Sequence, residues 1–289
     1  MRPQLECIQC SVRQALEAAE IAGADLDLKR EIALETLKLL MEYDSYGSPA
    51  ELTGAVHRVV GKLTGELDAY RKLKEETIRI ARGVYPVAAR GIEEQDDRLL
   101  YALKVSAVGN VIDAGVYGDL REVDLEAVLE EELTKEFAFC HIEPLREDLV
   151  GASSIVVVGD NAGETVFDRL LISEIKRVVG NGVQVFYGVR SGPIINDATI
   201  EDAVASGLDQ VANVISTGCD EPGLVLDKAH PNFIRVFKEA DVVISKGQGN
   251  YEALSNARDR AVYFLLKAKC EPVARDLGVK VGEYVFLRK

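Results

Sequence analysis

The chain has 289 residues, 34 Lys and Arg against 48 Asp and Glu, and a formal net charge of −14. At roughly 150 residues per domain, the length fits one large domain or two smaller ones, and a 47% hydrophobic content is enough to fill a core. A chain this acidic excludes nucleic-acid binding through a general basic face, which needs clustered Lys and Arg; a phosphorylated small molecule stays within reach if a metal or a local Lys supplies positive charge.

The first residues are polar and charged, with no apolar run behind them, so no signal peptide is expected. Uncharged apolar runs such as Ile155 to Val158 are too short to span a bilayer. Five cysteines, an odd number spread thinly, argue for a reducing cytoplasm and against a disulfide framework.

Residues 1–145 read as a helical domain. In "DLKREIALETLKLLMEY" (27–43), Leu34, Leu37 and Met41 fall at helical spacing. "SPAE" from Ser48 is a helix start, with Ser as N-cap, Pro at N1 and Glu at N3. "DLEAVLEEELTKEF" from Asp124 is a further helix, and no alternating strand pattern interrupts the region.

Residues 146–289 alternate. Apolar strands are predicted over 154–159, 183–189, 212–217, 241–247, 261–268 and 283–288. A helix runs from about Glu164 to Val179, and "TIED" (199–202) is a capping box opening another. Short, near-continuous apolar strands separated by helices mean βαβ units and a parallel sheet. The expected fold class is α/β: a helical N-terminal part packed on a Rossmann-like, doubly wound, mostly parallel α/β/α sheet.

In such a sheet, ligands bind beyond the carboxyl ends of the strands. Asp160 and Asn161 follow the first strand, and Asp197 lies in the loop after the second. All three are hard oxygen donors, suited to a hydrated divalent cation such as Mg²⁺ or Mn²⁺. No His or Cys stands at these turns, which disfavours zinc. Taken singly, each could equally cap a helix or form a turn. "KGQGN" (246–250) follows the fourth strand. Its glycines allow a ligand close to the backbone, its N–H groups can form an anion nest, and Lys246 adds a point charge; the competing reading is a plain Gly-rich turn. Neither the P-loop order nor G-x-G-x-x-G is present. Together the turns suggest a metal that holds a phosphate, with Lys246 on its other side.

"VVVGDNAGETVFDRLLI", "PIINDAT" and "ISKGQGNYE", with "GNVIDAG" (109–115) upstream, resemble the damage-control phosphatase family, once known as domain of unknown function number eighty-nine. The "ECIQC" start resembles its archaeal-type branch, with an N-terminal Cys-x-x-Cys. The resemblance covers most of the chain. It implies a phosphatase for small phosphorylated metabolites, sugar phosphates or damaged cofactor-like compounds, dependent on Mn²⁺, Co²⁺, Ni²⁺ or Mg²⁺. It places the metal ligands at Asp160, Asn161 and Asp197. The Lys-Gly-x-Gly-Asn loop falls on Lys246 to Asn250, with Lys246, Gly247 and Asn250 toward substrate. The upstream substrate-pocket residues fall on Asn110 and Asp113, which otherwise read as C-cap and turn residues.

The expected mechanism has the cation bridging these ligands and a phosphate oxygen, with water attacking; phosphorylation of Asp160 itself is the alternative. Glu164 could orient a ligand or complement the helix dipole. Arg190 reads as a phosphate ligand or a surface ion pair. Cys7 and Cys10 with Cys140 or His141 could hold a structural metal, though buried inert thiols fit better. His57 and His230 read as structural. Two other functions compete: an S-adenosylmethionine-dependent carboxyl methyltransferase, an activity associated with the wider family, and a non-catalytic binder of a phosphorylated metabolite.

Overall fold

A computed structural model of the chain describes residues 1–109, 125–180, 182–257 and 259–289. Among these residues, the helices α1 (Leu5–Ile21), α2 (Leu26–Leu40), α3 (Pro49–Thr64), α4 (Arg71–Glu93), α5 (Arg98–Val108) and α6 (Leu125–Leu133) come first. Side-chain caps start several of them: Asp25 accepts from Leu28 N, Ser48 from Glu51 N and Asp97 from Leu100 N. α2 forms where its periodicity predicts, yet Leu34, Leu37 and Met41 are 51%, 49% and 83% exposed. Its buried positions are Ile32, Thr36 and Leu40. Ile32 packs among Ala15 and Ala18 of α1 and Val56 and Val60 of α3. Periodicity tells which residues share a face, not which face a neighbour covers.

Seven strands follow: β1 (Phe137–Cys140), β2 (Ser154–Val158), β3 (Gln184–Val189), β4 (Asn213–Ser216), β5 (Val242–Lys246), β6 (Tyr263–Lys267) and β7 (Tyr284–Arg288). They form one sheet in the order β1-β7-β6-β5-β2-β3-β4. Only β6 and β7 pair antiparallel; the other neighbours are parallel. The six strands expected after residue 146 are all present, each within about two residues of its expected ends. β1 is an addition, inside the stretch read as wholly helical. Four residues are too few to show a two-residue period, and β1 finds its partner in β7, far along the chain.

Helices α7 (Ile142–Leu149), α8 (Thr165–Val179), α9 (Ile200–Ser206), α10 (Pro231–Glu239), α11 (Gln248–Leu254) and α12 (Glu271–Leu277) lie between the strands. β2 shows why its sequence is apolar throughout. Ile155 and Val157 pack with residues of α4, α5 and α8. Val156 and Val158 pack on the other face, with residues of α10, α11 and α12. Alternate side chains serve opposite layers, so both must be apolar. This is the expected α/β/α arrangement with a mostly parallel sheet. α3 packs on α11, and α4 and α5 on α8, which brings N-terminal helices to the sheet's C-terminal edge. No described helix is long and apolar enough to cross a membrane.

Candidate active site

Strand order reverses between β2 and β5: β3 and β4 continue on one side of β2, β5 and β6 on the other. Such a switch point opens a crevice beyond the strand ends. Asp160 and Asn161 leave β2 there, and Gly247 leaves β5. The loop after β3 is stitched onto the exit of β2. Ala198 N donates to Asp160 O at 2.8 Å and Ala162 N to Asn196 O at 2.9 Å, and Asn161 and Asp197 form an antiparallel bridge. Ile195 in this loop has φ 46°, a left-handed conformation that β-branched residues rarely adopt. The turn it makes leads directly into Asn196 and Asp197.

A cavity of about 300 Å³ opens at this point, with Asp160, Asn161 and Asp197 together in its lining. α1 contributes Cys7, Cys10 and Gln14, α3 contributes Thr53, and α11 contributes Gln248 and Glu252. Lys269, just before α12, also lines it. Among the described residues the Lys269 ammonium makes no ion pair.

The donor groups are held from behind. Asn161 Nδ2 donates to Glu164 Oε1 at 2.7 Å and lies 3.4 Å from Asp160 Oδ2. Its N–H groups are thereby committed to carboxylates, which leaves Oδ1 as the free donor atom. Glu164 is itself held by Lys246 Nζ at 3.1 Å. Asp197 accepts from Arg190 Nε at 2.7 Å; Arg190 Nη2 stands 3.9 Å from Asp160. Arg190 is thus fully buried and paired, not a surface residue. Burial raises the Asp160 carboxyl above its ordinary pKa, and Asp197 adds to the rise. Burial likewise raises Asp197, against the pull of Arg190. Arg190, with Lys269 farther off, does not offset the burial of the two acids. Two carboxylates and an amide oxygen lining one cavity are a donor set that fits a hard divalent cation. Among the described residues, no group of three His, Cys, Asp or Glu stands at metal-ligand spacing, so such a cation would need the amide and further oxygens from water or ligand.

The Lys246 ammonium points away from the cavity. It donates to Asp168 Oδ1 at 2.6 Å, Glu164 at 3.1 Å and the Ser106 carbonyl at 3.0 Å, and it is buried. Burial opposes its charge, but Asp168 and Glu164 outweigh that and raise its pKa. Asp168 also accepts from Ser106 Oγ at 2.5 Å and Tyr187 Oη at 2.6 Å. Gly247 has φ 78°, and a Cβ there would collide with the Asp160 carboxylate. Asn250 is likewise internal: Nδ2 donates to Gly159 O at 2.8 Å and Lys246 O at 2.7 Å, while Oδ1 accepts from Leu224 N and Arg190. Asn110 and Asp113 lie outside the described residues.

Cys7 and Cys10 line the cavity with Cys270. Cys140 is exposed on β1, and His141 Nδ1 accepts from Arg288 N at 3.0 Å. His230 Nδ1 caps α10 by accepting from Asn232 N. Residues that the sequence reading passed over are Asp168, Glu252 and Lys269. Asp168 had a signal, an acid in the apolar run "VFDRLL" one turn after Glu164. Lys269 had none, because "KAKC" carries two lysines and no pattern separates them.

Comparison with known proteins agrees with this architecture. Residues 4–285 match the damage-control phosphatase ARMT1-like domain. A damage-control phosphatase of Pyrococcus horikoshii is 35% identical over 289 residues, covering 100% of this chain and 98% of that protein. A damage-control phosphatase of Archaeoglobus fulgidus is 36% identical over 96% of both chains. The crystal structure of a DUF89 family protein from Pyrococcus horikoshii matches with a TM-score of 0.90 at 35% identity, covering 100% of this chain and 99% of that one. The chain belongs to the damage-control phosphatase ARMT1-like domain family.

Proposed function

We propose that this protein is a phosphatase that hydrolyses phosphate monoesters of small metabolites with a divalent cation held by Asp160, Asn161 and Asp197. The meeting of these three donors in one cavity, at the switch point of the sheet, carries the reading. The names of the Pyrococcus and Archaeoglobus relatives support it. When bound, the cation supplies charge neutralisation at a phosphate oxygen; Mn²⁺, Co²⁺, Ni²⁺ and Mg²⁺ all suit the donors.

The protein's own groups do the rest. Lys269 supplies positive charge to the phosphate from the cavity lining. Lys246 acts indirectly: it fixes Glu164, Glu164 fixes the Asn161 amide, and the amide oxygen is presented to the cation. Arg190 does the same for Asp197. Asp160 is a ligand, so water is the attacking nucleophile. A cavity of about 300 Å³ has room for a sugar phosphate or a similar phosphorylated metabolite.

The test is phosphate release from a panel of sugar phosphates by chelated protein with each ion restored, beside Asp160→Ala. Release that needs the ion and vanishes in the variant is expected. Full release from Asp160→Ala contradicts the assignment.

A further inference from the structure

We propose that Glu252 is the proton donor to the leaving oxygen of the phosphate ester. The assignment rests on the phosphatase reading and deepens it. A cation at Asp160, Asn161 and Asp197 serves the phosphoryl group, but expulsion of an alkoxide also requires a proton. Among the described residues, four carboxyl groups line the cavity: Glu6, Asp160, Asp197 and Glu252. Asp160 and Asp197 would hold the cation. Glu6 lies on the surface in an ion pair with Arg275 at 2.9 Å. Glu252 is left.

Its placement suits a donor. Glu252 is buried on α11, whose first turn also carries Gln248. Gln248 Nε2 donates to Glu252 Oε1 at 2.9 Å. That bond fixes one oxygen, while Oε2 has no hydrogen-bond partner among the described residues. Among the described residues no Lys or Arg pairs with the carboxyl; the Met1 ammonium binds the Glu252 carbonyl and Ser255, not the side chain. Among the described residues, the ionisable groups whose charges act on it are the Met1 ammonium, Asp160, Lys269 and the thiols of Cys7 and Cys270. Burial pushes the Glu252 carboxyl up to about 7, so a large fraction carries a proton at neutral pH. The Cys7 thiol, pushed by burial up to about 11, is a far weaker acid.

The step balances. The P–O bond to the alkoxide breaks as a bond forms between phosphorus and the water oxygen. Glu252 passes its proton to the alkoxide, which leaves as the alcohol. One water proton stays on the product as hydrogenphosphate, and the other returns to Glu252.

Leaving groups that need no proton separate this role from a structural one. Protein loaded with Mn²⁺ is assayed with an alkyl phosphate from the sugar series and with p-nitrophenyl phosphate, for wild type and Glu252→Gln. The variant is expected to lose about 10²–10⁴ in kcat on the alkyl ester and to keep kcat on the aryl ester within a few-fold. Its thermal unfolding and Mn²⁺ affinity are expected to match wild type. A second measurement needs no variant: across aryl phosphates of increasing phenol basicity, the wild-type kcat is expected to change little. Equal losses on both esters, no loss on either, or a steep wild-type dependence on phenol basicity would overturn the proton-donor role and leave the phosphatase reading standing. No phosphate release by wild type from any ester would overturn both.

Discussion

The side-chain amide of Asn161 shows how one residue acquires a role its identity does not dictate. An asparagine after a strand is usually a turn former. Here its N–H groups are held by Glu164 and Asp160, so its oxygen is the atom left for a ligand. Groups behind metal ligands typically tune affinity by about 10–100-fold. Glu164→Ala is therefore expected to weaken Mn²⁺ binding by about that factor in a calorimetric titration, with activity restored at high Mn²⁺; unchanged affinity would remove Glu164 from the site. Gly247 is as constrained. Its positive φ and its contact with Asp160 mean that Gly247→Ala must move the carboxylate. Loss of Mn²⁺ binding with a preserved circular dichroism spectrum is expected. His57 is a residue whose consequence is stability alone. Burial lowers its pKa to about 4, and Nε2 has no hydrogen-bond partner among the described residues. The unfolded chain thus binds a proton, near its ordinary value of about 6.5, that the folded chain refuses until near 4. The His57 contribution to stability is complete above pH 6.5 and is lost as pH falls from there toward 4, by at most about 1.4 kcal/mol per pH unit. His57→Leu is expected to gain on wild type over that window in urea unfolding, and a constant difference between the two across pH 4 to 7 would contradict it.

Among the elements, β5 and α8 are tied by a buried charge cluster. Lys246 at the end of β5 joins Glu164 and Asp168 at the start of α8. Removing one partner of a buried ion pair leaves an uncompensated charge and typically costs about 3–5 kcal/mol. Lys246→Met is expected to lose that much in chemical unfolding, and to lose activity because Glu164 no longer holds Asn161. A variant of wild-type stability with reduced phosphate affinity would instead put the ammonium in the cavity. The legibility of the sequence divides at this level. Strands β2 to β7 were readable because apolar runs such as "SIVVV" are dictated by burial on both faces. The capping box at Thr199 was readable because it is local, and it forms. That Asp160, Asn161 and Asp197 meet at one cavity was readable because strand-end position follows from the strand pattern. The fate of Lys246 was not. Whether a lysine after a strand faces a ligand or turns inward depends on Asp168 and Ser106, which lie 78 and 140 residues away. The same holds for β1, whose strand identity rests on β7.

For the molecule as a whole, the notable feature is that the helices before the sheet complete the site. α1 and α3 supply cavity lining that the strand ends lack, and the Ser106 carbonyl of α5 holds Lys246. An acidic chain of net charge −14 that concentrates buried carboxylates at one edge carries electrostatic strain that a bound cation would relieve. The most direct measurement follows Mn²⁺ added to chelated protein, recording binding and phosphate release from a sugar phosphate on the same samples. The account predicts that release rises in step with occupancy of one site, and that Asp160→Ala shows neither binding nor release. Full release from the chelated protein, or release by Asp160→Ala equal to wild type, would contradict it.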